Sequence, residues 1–204
     1  MCLLRQEIGQ KEETNMKKNF NIVISGTGGQ GLITLTQIIA EAVLIEGKDV
    51  KTSELHGLSQ RGGSVETHIK FGDRVFSPLV ALGSADLILS LEASESLRVL
   101  AYAGENTKFL VNKFALSYPG SLSEQDIIAK LKRLIKSPEI ITASQICRKE
   151  LGKEIVAGIY LLSYACHKKI IPLKSSSVLR GIEKTVPKRY FELNKKAFDL
   201  AERS

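Results

Sequence analysis

Cysteine is scarce and scattered in this chain. The three residues, Cys2, Cys147 and Cys166, form no C-x-x-C pair, so the spacing that holds zinc or an iron–sulfur cluster is missing. Reduced thiols are the expectation, and Cys147 and Cys166, which fall in helix-type patterns, read as small buried hydrophobes. Long apolar runs are also lacking. None reaches the roughly 18 residues of a membrane span, and the longest, Ile155 to Cys166, suits a buried helix. The first residues carry no apolar core of a secretory signal, so a cytoplasmic location is expected. With three histidines and no metal-type constellation, a metalloenzyme is not indicated. No nucleic-acid-binding module is legible either.

What remains is ordinary for one soluble domain: 204 residues, 43% hydrophobic and 25% charged, enough to bury a single sizeable core. The net charge of +7 is uneven. His167 to Ser204 holds ten Lys or Arg against four Asp or Glu, a net of +6, leaving Met1 to Cys166 at +1. A charge run of this kind is most often a solvated helix face.

The chain is organised around Phe20 to Thr34, FNIVISGTGGQGLIT. An apolar strand-type run stops at a glycine-rich turn and passes at once into helical spacing at Leu32, Leu35, Ile39, Ala42 and Val43. Gly26, Gly28 and Gly31 satisfy G-x-G-x-x-G, with Gly29 as a fourth position free of a side chain. Such a loop feeds the positive end of a helix dipole and leaves amides for an anion. The competing reading is a tight strand-to-helix turn with no ligand. A dinucleotide site would also want an acid after the second strand, and Glu54, somewhat late, is the nearest.

Residues 1–18 are polar, contain a second methionine at Met16, and read as a disordered extension ahead of a single domain over 19–204. Asp49 to Leu55 reads as a second strand, followed by the polar, glycine-bearing loop HGLSQRGG from His56 to Gly63. At the carboxyl end of its strand, this loop is expected beside the glycine loop. Ser64 to Phe71 alternates as a strand, and Gly72-Asp73 predicts a hairpin with Arg74 to Ser77. Asp86 to Leu91 and Lys108 to Asn112 read as buried strands, with a helix from Ala93 to Tyr102 between them. Ser123 opens a helix with Asp126 in a weak capping box, and Glu139 to Thr142 is a short strand. Lys153 to His167 is apolar nearly all round. Ile155, Ile159 and Leu162 are expected to face the sheet, with Tyr160 or Tyr164 under the C-terminal helix or another chain.

GTGGQG at Gly26 to Gly31, SELHGLSQRGGSV at Ser53 to Val65, SPL at Ser77 to Leu79 and VPKRYFELNKKAF at Val186 to Phe198 carry a resemblance. Together they resemble the gamma-type subunit family of 2-oxoacid:ferredoxin oxidoreductases, on its indolepyruvate:ferredoxin oxidoreductase beta-subunit side. The resemblance runs from about Phe20 to the C-terminus and is weakest over Ala101 to Ser137. It implies an α/β, Rossmann-like three-layer sandwich with a mostly parallel sheet, a β-hairpin insertion and C-terminal helices. It also implies a cofactor-free subunit, inactive alone, whose large alpha-subunit partner carries thiamine diphosphate and iron–sulfur clusters. The complex would convert an arylpyruvate and coenzyme A to an acyl-CoA, carbon dioxide and reduced ferredoxin. The alternative is a stand-alone Rossmann-type nucleotide-binding module or NAD(P)-dependent dehydrogenase. No contact with nucleic acid or membrane is expected.

The candidate binding set is Gly26, Thr27, Gly28, Gly29, Gln30, Gly31 and Thr34 in the first loop, and Ser59, Gln60 and Arg61 in the second. The amides of Thr27 to Gly31 are expected to bind an anion, with Gln30 and Thr34 as side-chain helpers. Arg61 offers a planar fork for phosphate or carboxylate, or alternatively pins its loop to backbone carbonyls or Glu54. Arg61 and His56 are the candidates for a catalytic role, His56 as a proton site near neutral pH. No carboxylate is paired with His56 at a telling spacing. His68 reads as structural and His167 as a cation at a helix end.

Overall fold

The computed structural model describes residues 19–57 and 62–202. The expected N-terminal extension, residues 1–18, therefore lies outside the described residues. A six-stranded sheet in the order β2-β3-β1-β4-β5-β6 is built from β1 (Phe20–Thr27), β2 (Asp49–His56), β3 (Ser64–Gly72), β4 (Ala85–Ser90), β5 (Ala103–Asn112) and β6 (Glu139–Ile141). β1, β4, β5 and β6 pair in parallel. β3 runs antiparallel between β1 and β2, so β2 again points the same way as β1.

Strand alternation splits the sheet into two apolar faces. Ile22, Ile24, Leu87, Leu89 and Leu110 point to one core, while Val23, Ile88, Phe109 and Val111 point to the other. The first face is covered by α1 (Leu32–Ile45), α4 (Ala143–Leu151), α5 (Ala157–His167), α6 (Ser175–Thr185) and α7 (Lys188–Glu202). The second is covered by α2 (Ala93–Arg98) and α3 (Glu124–Leu134). The result is a three-layer α/β sandwich. α3 is capped as the sequence suggests, its Ser123 Oγ accepting from Asp126 N at 3.1 Å.

Two expectations change. The hairpin is β2–β3, closed where Gly57 N donates to Ser64 O at 3.0 Å, and Arg74 to Ser77 forms no strand. Both edges of β3 are already taken by β1 and β2, so a further strand has nowhere to pair. Residues 73–84 instead run as an irregular strap. Val75 N donates to Asp49 Oδ2 at 2.8 Å and Val80 N to His68 Nδ1 at 3.0 Å.

The second change concerns the apolar helix, which starts later than its pattern suggests. Glu154 to Val156 is a single 3-10 turn ahead of α5, and the tighter winding turns Ile155 out, 55% exposed, while Ile159 and Leu162 are buried. The far side of α5 is covered within the chain. Tyr160 is buried, and Ser163 Oγ donates to Phe198 O of α7 at 2.6 Å.

Candidate functional site

β1, β2, β4 and β5 all end at one edge of the sheet, where the first helix starts. Between Thr27 and Leu32 the chain reverses through Gly29 at φ 97° and Gly31 at φ 80°, a left-handed region that L side chains rarely enter. Gly28 is not among the positive-φ glycines, so in this turn a side chain would strain the backbone at Gly29 and Gly31. Gly31 is the N-cap of α1 and offers no side chain, so no side-chain cap closes that helix end.

Gln30 holds the turn from inside. Its Oε1 accepts from Thr27 N at 2.9 Å and its Nε2 donates to Leu91 O at 3.5 Å. Gly26 makes room for it, because a Cβ there would meet Gln30 Oε1 at 2.6 Å. Gln30 N donates to Thr27 O at 3.2 Å, and Gly28 N donates to Gly63 O at 2.9 Å. Three of the five amides expected to face an anion are thus engaged by the chain itself. Among the described residues, those of Gly29 and Gly31 carry no hydrogen bond, and the open first turn of α1 stands behind them.

The Gly28–Gly63 bond ties the two signature loops together, as their positions at neighbouring strand ends suggest. A cleft of about 580 Å³ lies between them, lined by Thr27, Gly28, Gly29, Gly31, Thr34 and His56 among others. His56 is half-exposed, with Nε2 3.4 Å from Glu54 Oε2. That carboxylate partner was not singled out for His56 in the sequence. The signal was the i, i+2 spacing, which puts both side chains on one face of β2. Leu58, Ser59, Gln60 and Arg61 lie outside the described residues.

On the other side of the glycine loop is a second cleft of about 330 Å³, lined by Thr27, Gln30, Leu91, Asn112, Phe114 and Ser144 among others. Asn112, buried at the end of β5, donates to Leu91 O at 3.0 Å and Ser144 Oγ at 2.7 Å, and accepts from Ser144 N at 3.2 Å. Neither Asn112 nor Ser144 was singled out from the sequence. The available cue was a polar residue closing the buried run Lys108 to Asn112. A third element, α2, is anchored by buried Glu92. Its Oε2 caps Glu95 N at 2.8 Å and its Oε1 accepts from Leu116 N at 3.1 Å. Ser64 Oγ at the start of β3 donates to the Glu95 carboxylate, which also bridges Arg98 at 3.2 Å. These carboxylates are occupied in fixing strand ends to one another.

The described residues do not fit an iron–sulfur cluster or a metal. Among the described residues no group of three or more His, Cys, Asp or Glu side chains is placed to hold one. Cys147 and Cys166 are buried, and burial pushes their thiols up to about 11 and about 12, away from the thiolate that ligation requires. No helix is long and apolar enough to cross a membrane among the described residues. His68 and His167 both lie away from the loop edge. His68 Nε2 sits 2.6 Å from Glu66 Oε1 within β3, and His167 Nδ1 lies 2.9 Å from Ser163 O at the end of α5.

Known proteins share both the sequence and the architecture. The family model for pyruvate ferredoxin/flavodoxin oxidoreductase matches residues 21–203. The chain is 32% identical over 187 residues to indolepyruvate oxidoreductase subunit IorB of Archaeoglobus fulgidus, covering 88% of this chain and 92% of that one. It is 32% identical over 190 residues to the subunit of the same name from Pyrococcus horikoshii, covering 90% and 94%. Among solved structures, the keto/oxoacid ferredoxin oxidoreductase gamma subunit of Geobacter sulfurreducens superposes with a TM-score of 0.67 at 24% identity, over 90% of this chain and 96% of that chain. The 2-oxoglutarate:ferredoxin oxidoreductase of Magnetococcus marinus, solved with 2-oxoglutarate, coenzyme A and succinyl-CoA bound, gives a TM-score of 0.70 at 18% identity. The match covers 92% of this chain and 31% of that longer one. At these identities the solved structures establish the shared fold.

Proposed function

The chain belongs to the pyruvate ferredoxin/flavodoxin oxidoreductase family, as a subunit of such an oxidoreductase, and we propose that its complex is of the indolepyruvate or arylpyruvate kind. The complex would take an arylpyruvate, coenzyme A and oxidised ferredoxin to an aryl-acetyl-CoA, carbon dioxide and reduced ferredoxin. Similarity to the indolepyruvate subunits along nearly their whole length supports the substrate class. In this reading thiamine diphosphate and the iron–sulfur clusters belong to a large alpha-subunit partner. When bound there, these groups supply the decarboxylation and electron-transfer chemistry. This chain supplies shape and charge.

The observation that carries the site reading is the Gly28–Gly63 hydrogen bond at 2.9 Å, which makes one surface of the two signature loops. On that surface Gly29, Gly31 and Thr34 offer donors to an anionic group such as a phosphate of coenzyme A, in the open first turn of α1. His56 and Glu54 at the end of β2 bring ionisable groups to that surface, and by sequence Ser59 and Gln60 add neutral hydrogen-bonding side chains and Arg61 a cation to the loop that follows. The tight linkage explains why a passive glycine turn and a polar loop occur together.

The test is steady-state ferredoxin reduction by the complex reconstituted from this chain and its large partner. Wild type is expected to support arylpyruvate- and coenzyme A-dependent turnover that neither chain shows alone. Loss of one charge-assisted hydrogen bond in Arg61→Ala, about 1.5 to 3 kcal/mol, lowers turnover about ten- to a hundredfold with assembly retained. An unchanged rate with unchanged dependence on coenzyme A would reduce the loop to a connector. Failure of the chains to assemble would sink the subunit reading itself.

A further inference from the structure

The closing motif Val186 to Phe198 is not used by either loop, yet part of it lines a largely apolar opening on this edge of the molecule. A groove of about 540 Å³ runs between the start of α5 and the first turns of α7. Its apolar walls include Ile155, Ile159, Val186, Pro187, Tyr190 and Leu193. Two of these are large and open to solvent, Ile155 at 55% and Tyr190 at 46% exposure. Ile155 is exposed because the 3-10 turn before α5 directs it outward. Keeping an isoleucine there has no benefit for the chain's own core, whose neighbouring positions are already filled by Val156 and Ile159.

The groove has a sign as well as a surface. Lys153 lines it, and Lys188 and Arg189, both exposed, precede Tyr190 on α7, with the Arg189 guanidinium 4.7 Å from the centre of the Tyr190 ring. Of the nearby acids, Glu154 is engaged by a bridge to Arg148. An aromatic ring and an isoleucine beside cations that form no salt bridge among the described residues match the make-up of an interface anchor rather than of a solvated face. The groove is also continuous with the candidate site, since Gln30, Gly31 and Thr34 form one of its ends.

We propose that this groove seats an apolar segment of the large partner subunit that carries carboxylates beside its apolar anchors, docking that chain directly against the glycine loop. The inference rests on the subunit reading above and adds to it the surface and the chemistry of the contact. Apolar anchors filling the groove would supply affinity, and the carboxylates meeting Lys153, Lys188 and Arg189 would fix orientation and speed encounter.

The test measures affinity of the full chain for the large subunit by surface plasmon resonance, with sizing of each chain alone. Ile155→Glu combined with Tyr190→Glu is expected to weaken assembly at least tenfold. Both side chains are substantially exposed, so the thermal midpoint should stay within a few degrees of wild type. Lys153→Glu combined with Arg189→Glu is expected to slow association and to flatten its salt dependence. Phe76→Glu, a change at an exposed apolar side chain on the strap at the opposite end of the sheet, should bind as wild type. Undiminished affinity in the groove variants, or equal loss in Phe76→Glu, overturns the inference while leaving the subunit reading intact. A homodimer of the chain alone that Ile155→Glu with Tyr190→Glu dissolves makes the occupant a second copy and also overturns it. If wild type binds no large subunit, both readings fall.

Discussion

Glu66 and His68 show how a partly buried ionisable pair serves this fold. They lie two apart on β3, hence on one face, with His68 Nε2 2.6 Å from Glu66 Oε1. The Val80 amide donates to His68 Nδ1 at 3.0 Å, which assigns the ring hydrogen to Nε2, facing the carboxylate. The edge of the Tyr102 ring packs on the imidazole, centroids 4.8 Å apart at 84°. The His68 hydrogen bond is the main cause holding the Glu66 carboxyl below its usual range, helped by Tyr102 and opposed by burial. Burial and Glu66 together push the Tyr102 hydroxyl up. The sign of the linkage follows: the folded pKa of Glu66 lies below the unfolded value near 4.5, so its stabilisation is complete above that pH. It is lost as pH falls through the lowered folded pKa. Glu66→Gln should therefore cost about 1 kcal/mol at pH 7, discounted for partial exposure. The gap from wild type in urea midpoints should close as pH drops below about 4.5. A gap independent of pH would show that the carboxylate charge contributes nothing.

At the scale of elements, two helical glycines distinguish close approach from ordinary packing. In α6, a Cβ on Gly181 would meet Ile38 O of α1 at 2.6 Å and Ala42 N at 3.4 Å, and helix backbone cannot swing aside as a side-chain tip can. In α5, a Cβ on Gly158 would meet only Leu35 and Leu91 side-chain carbons at 3.5 Å, ordinary contact. Alanine gains about 1 kcal/mol of helix propensity over glycine at either place, while overpacking costs about 1 to 3 kcal/mol. Gly181→Ala should thus lower stability by up to about 2 kcal/mol, whereas Gly158→Ala should be neutral or stabilising. Urea unfolding of the two variants side by side checks both signs. Nothing in the sequence separates these glycines, because the contact at each is to segments far away along the chain. The elements themselves were far more legible. Period-two alternation in Ser64 to Phe71 and the apolar runs at Phe20, Asp86 and Lys108 report burial of each strand's own side chains, which is a local property. The Arg74 strand misled because Gly72-Asp73 is a sound local turn signal, whereas the occupancy of β3's two edges is a property of the whole sheet. At the site, the pairing of loops was legible from strand ends. The Gln30 staple was not, since its second partner, Leu91 O, lies 61 residues away.

For the whole molecule, topology decides between a subunit and a free-standing dinucleotide enzyme. In a dinucleotide fold the strand carrying the ribose-binding acid lies directly beside the strand that feeds the glycine loop. Here β3 intervenes, so β2 with Glu54 is displaced by two strand spacings, about 10 Å, from β1. Glu54 is also exposed, with His56 Nε2 3.4 Å from its Oε2. The loop is altered to the same effect: Thr27, Gly28 and Gln30 spend their amides within the chain, leaving too few donors to cradle a pyrophosphate across the turn. The anion binding proposed for Gly29, Gly31 and the first turn of α1 is compatible with these constraints, but recognition of a ribose diol at the usual reach is not. Without the acid and with two of five loop amides, binding of nicotinamide dinucleotides should fall short of about 4 kcal/mol, a Kd weaker than about 1 mM. Fluorescence titration of the isolated chain with NADH and NADPH checks this, alongside the same titration after assembly with the large subunit. Saturable micromolar binding by the chain alone would restore the dehydrogenase reading and require Glu54, or another acid, to reach the loop.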